Sequence, residues 1–139
     1  MNASSTANKN SRQQAREDSR RRILEAARSE FAENGFAGTS LDSVAQLAGC
    51  SKALVVHYFG GKKKLWQAVV DYYTELADGS LFVQAGKAQP AEGFEQYLRR
   101  TFRFFQTHPD YTKIANRLIA DKGTPIPQEM FGLLKDVSA

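Results

Sequence analysis

Residues 40–62 constrain the fold of this chain most, because their pattern predicts two short helices joined by a tight turn. Ser40 and Ser51 stand where N-caps are needed, one before each helix, and a cap hydroxyl accepts a hydrogen bond from a first-turn N–H. Gly49 is suited to end the first helix, since glycine enters the left-handed conformation without Cβ strain. Apolar residues recur at helical spacing in that helix at Leu41, Val44, Ala45 and Ala48.

Two capped helices with a glycine between them are typical of a helix-turn-helix. The second helix of such a unit fits a DNA major groove. The alternative for this stretch alone is an ordinary αα-corner inside a helical bundle. The distribution of charge favours DNA: residues 1–64 contain eleven Lys or Arg and six Asp or Glu, whereas residues 65–139 contain eight and nine. A polyanionic partner for the first half follows from this asymmetry, and a solvated basic tail is the alternative.

The rest of the sequence favours an all-α fold. Alternating β-branched runs are scarce, and no Asn-Gly or Asp-Gly turn joins two of them. One cysteine excludes an internal disulfide framework, and two distant histidines give no metal-ligand spacing. The chain lacks an apolar run near the ~20 residues that a bilayer span needs, and it lacks a signal-peptide core, so a cytoplasmic protein is expected.

Further helices are expected on both sides of residues 40–62. The preceding helix should start at Arg12 or near Asp18 and Ser19, and Asn34-Gly35 should end it. A long helix should open at Lys62. Helix five is expected over 91–107, helix six should start at Pro109, and a short last helix is expected over 128–137. Helix five should have one apolar side of Phe94, Tyr97, Leu98, Phe102 and Phe105, and helix six should turn Tyr111, Ile114, Ala115, Leu118 and Ile119 inward.

Several short motifs, and the order in which they follow one another, resemble the N-terminal DNA-binding domain of TetR-family transcriptional regulators. The resemblance covers roughly residues 19–77 and rests on the run FAENGFAGTSLDSVAQLAG, Cys50-Ser51-Lys52, Tyr58-Phe59 and Lys62-x-x-Leu65. It implies a repressor, or less often an activator, that binds a palindromic operator as a homodimer and is released by a small molecule. It implies no enzyme, and the sequence shows no paired carboxylates, nucleophile–base set or Gly-rich phosphate loop. We expect no cofactor and no metal.

The resemblance divides the chain into a flexible basic arm over 1–18, a helix-turn-helix DNA-binding domain over 19–61 and a helical regulatory domain over 62–139. The expected all-α fold is therefore a three-helix DNA-binding domain followed by a partial helical ligand-binding and dimerisation domain. Family members usually continue several helices further, and those last helices build their dimer interface. The second domain is therefore expected to be truncated, and formation of the dimer depends on whether the shorter chain suffices. The alternative function is a helical protein-interaction or ligand-binding module that keeps the helix-turn-helix only as scaffold.

Eight residues of this region are expected to face DNA: Ser40, Ser51, Lys52, Ala53, Val56, His57, Tyr58 and Lys62. Lys52 opens the second helix and reaches a base edge or a phosphate, and Lys62 lies at a helix N-terminus that already favours phosphate. Val56 departs from the family, which commonly has tyrosine there, and valine offers only an apolar contact with a thymine methyl. The alternatives are ordinary structural roles, such as a solvated lysine or a partly packed Tyr58.

Six aromatic residues are candidates for lining a pocket for a small apolar or aromatic effector: Trp66, Tyr73, Phe94, Tyr97, Phe102 and Phe105. Aromatic residues at helical spacing are usually core, so core packing is the alternative for each of them.

Overall fold

The computed structural model describes residues 3–76 and 94–126, and these residues form six helices. The helices are α1 (Ala3–Gly38), α2 (Leu41–Ala48), α3 (Lys52–Phe59), α4 (Lys62–Leu76), α5 (Phe94–Thr107) and α6 (Pro109–Ala120). No strand occurs in these two ranges, and the all-α prediction is confirmed. None of the helices in them is both long and apolar enough to cross a bilayer. The helix predicted over 128–137 lies outside the described residues.

The first helix is longer than its sequence pattern predicts. It begins at Ala3, so the starts predicted at Arg12 and near Asp18 were wrong, and the described part of the predicted flexible arm is helical instead. The physical reason is that no glycine or proline interrupts residues 3–34, and a helix that is nucleated by packed turns propagates at little cost. Amide groups of Gln13 and Gln14 also donate to the carboxylates four residues later, at 3.3 and 3.2 Å.

The break predicted at Asn34-Gly35 is confirmed. Gly35 has φ 73° and ψ 177°, a backbone conformation that favours glycine. Phe36, just after the break, packs back with its ring 6.2 Å from that of Phe31 and 6.0 Å from that of Trp66. The buried Thr39 hydroxyl lies 2.8 Å from the Gly35 carbonyl oxygen, to which it donates a hydrogen bond. The Thr39 hydrogen bond satisfies a backbone carbonyl at a helix end, and together with the Phe36 ring contacts it holds the chain where it enters α2.

The core lies where α1, α2, α3 and α4 meet, and its largest fully buried side chain is Trp66. The Trp66 ring meets Phe31 edge-on at 5.0 Å. Its indole N–H donates to the Pro125 carbonyl oxygen at 2.7 Å, which fastens the segment after α6 to the N-terminal helices. The other large fully buried side chains are Phe31, Ile23, Leu65, Val44, Val55 and Val69.

The inward faces of α5 and α6 differ in part from the prediction. Tyr111, Ile114 and Leu118 of α6 are buried as predicted, whereas Ile119 is 74% exposed. On α5, Leu98, Phe102 and Phe105 are exposed, whereas Phe104 is half-buried and its ring lies 5.0 Å from that of Tyr111. The buried side of α5 therefore follows the position of α6 rather than the widest apolar stripe in its own sequence.

Candidate nucleic-acid interface

Both short helices begin at a serine cap, as predicted. The Ser40 hydroxyl accepts a hydrogen bond from the Ser43 N–H at 3.0 Å, and the Ser43 hydroxyl accepts one from the Ser40 N–H at 3.3 Å. This reciprocal pair is a capping box in which serine replaces the usual Glu or Gln. The Ser51 hydroxyl accepts from the Leu54 N–H at 3.1 Å. Gly49 between the helices has φ 68° and ψ 38°, which closes the turn and sets the angle of α3.

Helix α3 has one buried side and one exposed side. Val55 and Phe59 are buried in the core, and Leu54 and Tyr58 are half-buried at its edge. The exposed residues are Lys52, Ala53, Val56 and His57, four of those predicted to face DNA. Ala53 and Val56 are small or apolar, so another molecule can approach α3 closely there. Lys52 and His57 are polar and can form hydrogen bonds with it.

Lys52 connects the start of α3 to the start of α2. Its ammonium lies 2.9 Å from a carboxylate oxygen of Asp42, and both side chains are more than half exposed. An exposed ion pair contributes only about 0–1 kcal/mol, so Lys52 is free to exchange this partner for a phosphate. The pair links a side chain in the first turn of α2 to one in the first turn of α3.

The first turn of α4 holds three lysines, Lys62, Lys63 and Lys64. A helix N-terminus disfavours each nearby positive charge by about 0.3–1 kcal/mol and favours anions, so this arrangement suits an anionic partner. The Lys62 ammonium lies 4.5 Å from the centre of the Phe36 ring, a cation–π contact that holds it at the edge of the core. Lys63 and Lys64 were not among the predicted site residues, although the lysine run directly after Gly60-Gly61 was an available signal.

Arg20 of α1 lies at the opposite end of α3 from Lys52. Its guanidinium is 4.9 Å from the centre of the Phe59 ring, and its side chain is exposed. Positive groups from α1, α3 and α4 therefore lie at the two ends of α3. The roles of the eight predicted residues toward DNA stay predictions.

The six aromatic candidates for an effector pocket do not share a cavity among the described residues. Trp66 and Tyr73 are core residues, Phe102 and Phe105 are exposed, and the side chains of Phe94 and Tyr97 lie outside the described part. Tyr73 borders a gap of about 10 Å³ between α4 and α6, which is at the lower limit for a single water molecule. The pocket stays a prediction.

Helix α6 packs directly on the break in α1. Arg117 donates to the Glu33 carbonyl oxygen at 2.8 Å and to an Asp121 carboxylate oxygen at 3.2 Å. Lys113 forms an ion pair with the Glu33 carboxylate, and the hydrogen bond between them lowers the pKa of Glu33 and raises the pKa of Lys113. A Cβ atom at Gly35 would lie 3.0 Å from the Asp121 carboxylate, so the two helices approach closely there.

A second polar contact joins α1 to α4, about two helical turns before the break at Gly35. The Arg28 Nε–H donates to the Tyr73 hydroxyl at 3.2 Å, and the guanidinium lies 4.3 Å from the centre of the Tyr72 ring. Helices α4 and α6 thus both hold α1 through arginine side chains.

Residues 23–69 match the family profile described as bacterial regulatory proteins, tetR family. The HTH-type transcriptional repressor NicS of Pseudomonas putida is 25% identical over 104 residues, which are 74% of this chain and 49% of NicS. The HTH-type transcriptional regulatory protein RaaS of Mycobacterium tuberculosis is 46% identical over 54 residues, which are 39% of this chain and 25% of RaaS.

The crystal structure of HlyIIR, a hemolysin II transcriptional regulator, has a similar fold, with a TM-score of 0.59 and 28% identity. The similarity covers 87% of this chain and 65% of HlyIIR. The chain spans about half the length of the curated relatives it matches. Residues 23–69, which contain the capped helix-turn-helix, are therefore similar to the tetR family of bacterial regulatory proteins, and the relatives and the fold agree with this similarity.

Proposed function

We propose that this chain is a sequence-specific DNA-binding transcriptional regulator. The main support is the exposed side of α3, which consists of Lys52, Ala53, Val56 and His57. A major groove roughly 12 Å wide admits one α-helix, and side chains of α3 then reach base edges. The two small or apolar side chains allow close approach, and Lys52 and His57 offer hydrogen bonds to bases.

Phosphate contacts on both sides of the groove position such a helix. The N-termini of α2 and α3, capped by Ser40 and Ser51, offer backbone N–H groups to phosphates. Lys62 and its two lysine neighbours at the start of α4 supply positive charge beyond the C-terminal end of α3. The named relatives NicS and RaaS are transcriptional regulators, which agrees with this assignment.

We further propose a repressor that binds a palindromic operator as a homodimer and leaves it when a small molecule binds to the helices after residue 62. NicS and a Streptomyces coelicolor relative are named repressors. The hydrogen bond from Arg117 to the Glu33 carbonyl supports the release step, because a shift of α6 would pull on α1 at Gly35, directly before α2. Two half-sites held together bind far more tightly than one.

The test is to select duplexes that bind this protein from a random pool and to titrate a selected duplex and a random duplex at two salt concentrations. Light scattering gives the mass of the free protein and of the complex. We expect the selected duplex to be palindromic, to bind two copies and to bind at least about a thousandfold more tightly than the random duplex.

A matched pair of variants makes the test specific to α3. His57→Ala should reduce the preference for the selected duplex, whereas Arg99→Ala should leave it unchanged, because Arg99 lies on α5 with 76% of its side chain exposed and pairs with Glu95. A monomer that binds every duplex equally would overturn the proposal and favour the alternative of a protein-interaction module.

A further inference from the structure

The N-terminal part of α1 extends well beyond the core. Ile23 is the first buried residue of the helix, and residues 5–17 are all exposed. Because an α-helix rises about 1.5 Å per residue, the segment from Ala3 to Arg22 is roughly 30 Å long, and its fully exposed N-terminal part projects beyond the packed domain. We call residues 3–22 the extension.

The basic residues of the extension form a stripe along one side of the helix. Lys9, Arg12, Arg16 and Arg20 follow one another at intervals of three, four and four residues, which places them on the same face. The same spacing continues to Ile23 and Ala27, which are 1% and 0% exposed. The stripe therefore points to the side of α1 on which the core lies.

Contacts in the structure support this direction. Arg20, the last member of the stripe, lies over the Phe59 ring at the end of α3. The acidic residues of the extension point elsewhere: Glu17 accepts a hydrogen bond from Gln13, and Asp18 pairs with Arg21. Lys9, Arg12 and Arg16 have no ion-pair partner within residues 3–76 and 94–126.

The composition of the extension favours a polyanion over other partners. Alanine is the only apolar residue type between positions 3 and 22, so the helix has no apolar face to bury in a protein groove or a bilayer surface. The length of the stripe also fits DNA: Lys9 and Arg20 are about 16 Å apart along the axis, roughly the rise of five phosphates on one strand.

We propose that the extension is a second DNA-contacting element, in which the Lys9–Arg20 stripe lies along the phosphates that flank the site occupied by α3. This inference rests on the proposed function, because that proposal places DNA on the exposed side of α3. It adds contacts that carry no base sequence, because phosphates are the same at every position. The extension should therefore raise affinity for all duplexes and leave sequence preference unchanged.

Three forms of the protein test the inference on a random-sequence duplex of about three helical turns, roughly 30 base pairs. The first is the unchanged chain, and the second is the neutralised variant Lys9→Gln, Arg12→Gln, Arg16→Gln. The third exchanges neighbouring residues, K9N/N10K, R12Q/Q13R and R16E/E17R. The exchange keeps composition and net charge but turns the basic stripe by about 100° around the helix. All three should melt at the same temperature, since residues 5–17 bury nothing.

The measured quantity is the slope of log affinity against log salt concentration. We expect the neutralised variant to lose about 2.7 from the magnitude of this slope, close to 0.9 for each of three phosphate contacts. The exchanged variant should lose at least as much, because its charges point away from the DNA. An unchanged slope in the neutralised variant would overturn the inference. An exchanged variant with the original slope would also overturn it, since net charge rather than the stripe would then matter.

Two further measurements separate this inference from the proposed function and from a membrane role. If the unchanged chain fails to prefer a selected duplex but the two variants still lose slope, the proposed function fails and the extension contact stands. Vesicles containing phosphatidylserine are the second probe. Binding to them that disappears in the neutralised variant, while the DNA slope stays constant, would overturn the inference in favour of a lipid surface.

Discussion

The Arg117 guanidinium donates a hydrogen bond of 2.8 Å to the backbone carbonyl oxygen of Glu33, a residue 84 positions earlier in the chain. That carbonyl lies two residues before Gly35, where the break in α1 removes helical partners from the last carbonyls. The contact therefore acts as a tertiary cap: a side chain of α6 completes the end of α1 directly before the helix-turn-helix.

Arg117→Ala should lower the free energy of unfolding by about 1–2 kcal/mol, the cost of removing a charged donor from a backbone carbonyl. Urea denaturation measures the change. Arg99→Ala is the matched control, because Arg99 forms an exposed ion pair with Glu95 within one helix and should cost about 0.5 kcal/mol or less. Equal effects of the two substitutions would contradict the role of Arg117 as a cap.

Gly49→Ala should destabilise the protein although the site has space for a methyl group. A Cβ at Gly49 would meet nothing within 4 Å, but φ is 68°, so the cost of about 1–2 kcal/mol arises from the backbone alone. Gly38 is a helical glycine with no positive φ, and its Cβ would meet only the Asn34 Cβ at 3.4 Å. Gly38→Ala should therefore be neutral or stabilising, by up to about 1 kcal/mol. Thermal melts of both variants decide whether the left-handed turn matters.

The turn at Gly49 shows what can be predicted from sequence here. Ser40, Gly49, Ser51 and Gly35 act through backbone groups within a few residues of themselves, so the printed sequence contains all the information that their conformations require. For the same reason the helix-turn-helix and the exposed residues of α3 were predicted closely.

Long-range contacts could not be predicted in this way. The exposed Phe102 and Ile119 lie on helices whose buried sides depend on where α6 meets α1, and that contact joins positions more than 80 residues apart. The helical start at Ala3 was also missed, because the start signals read at Arg12 and near Ser19 compete with propagation from a packed helix downstream. The local sequence does not show whether a start signal or propagation from the packed part of α1 determines where the helix begins.

Opposite effects on DNA affinity are expected for the two members of the Lys52–Asp42 pair. Lys52→Ala removes a positive group from the start of α3, which we propose faces DNA, and should weaken binding. Asp42→Asn removes a competing carboxylate 2.9 Å from the Lys52 ammonium and should strengthen binding. Neither should change stability by more than about 1 kcal/mol, because the pair is exposed. Titration of both variants with the same duplex is the measurement, and weakening by both would show that the pair is needed intact.

Lys62→Ala should reduce the magnitude of the salt slope by about one, the value expected for the loss of one phosphate contact. Lys113→Ala is the control with the same change in net charge. Lys113 lies on α6, away from the helix-turn-helix, and pairs with Glu33. The slope of the control should equal that of the unchanged chain. If both variants lose the same slope, overall charge rather than a contact at Lys62 explains the salt effect.

The stability of the protein should fall with rising pH above about 10, where an exposed tyrosine in the unfolded chain loses its proton. Burial raises the pKa of Tyr111, and burial also raises the pKa of Tyr73. The unfolded state therefore binds fewer protons than the folded state in this range, and the free energy of unfolding decreases as pH increases.

Tyr111→Phe removes one of these ionisations and should make the decline less steep, and adding Tyr73→Phe should flatten it further. Urea midpoints measured at a series of alkaline pH values give the slope for each variant. Differences at neutral pH report only lost packing and hydrogen bonds, such as the one from Arg28 to Tyr73, and are subtracted as a constant. A Tyr111→Phe variant that declines as steeply as the unchanged chain would mean that Tyr111 ionises as readily in the folded protein as in the unfolded chain.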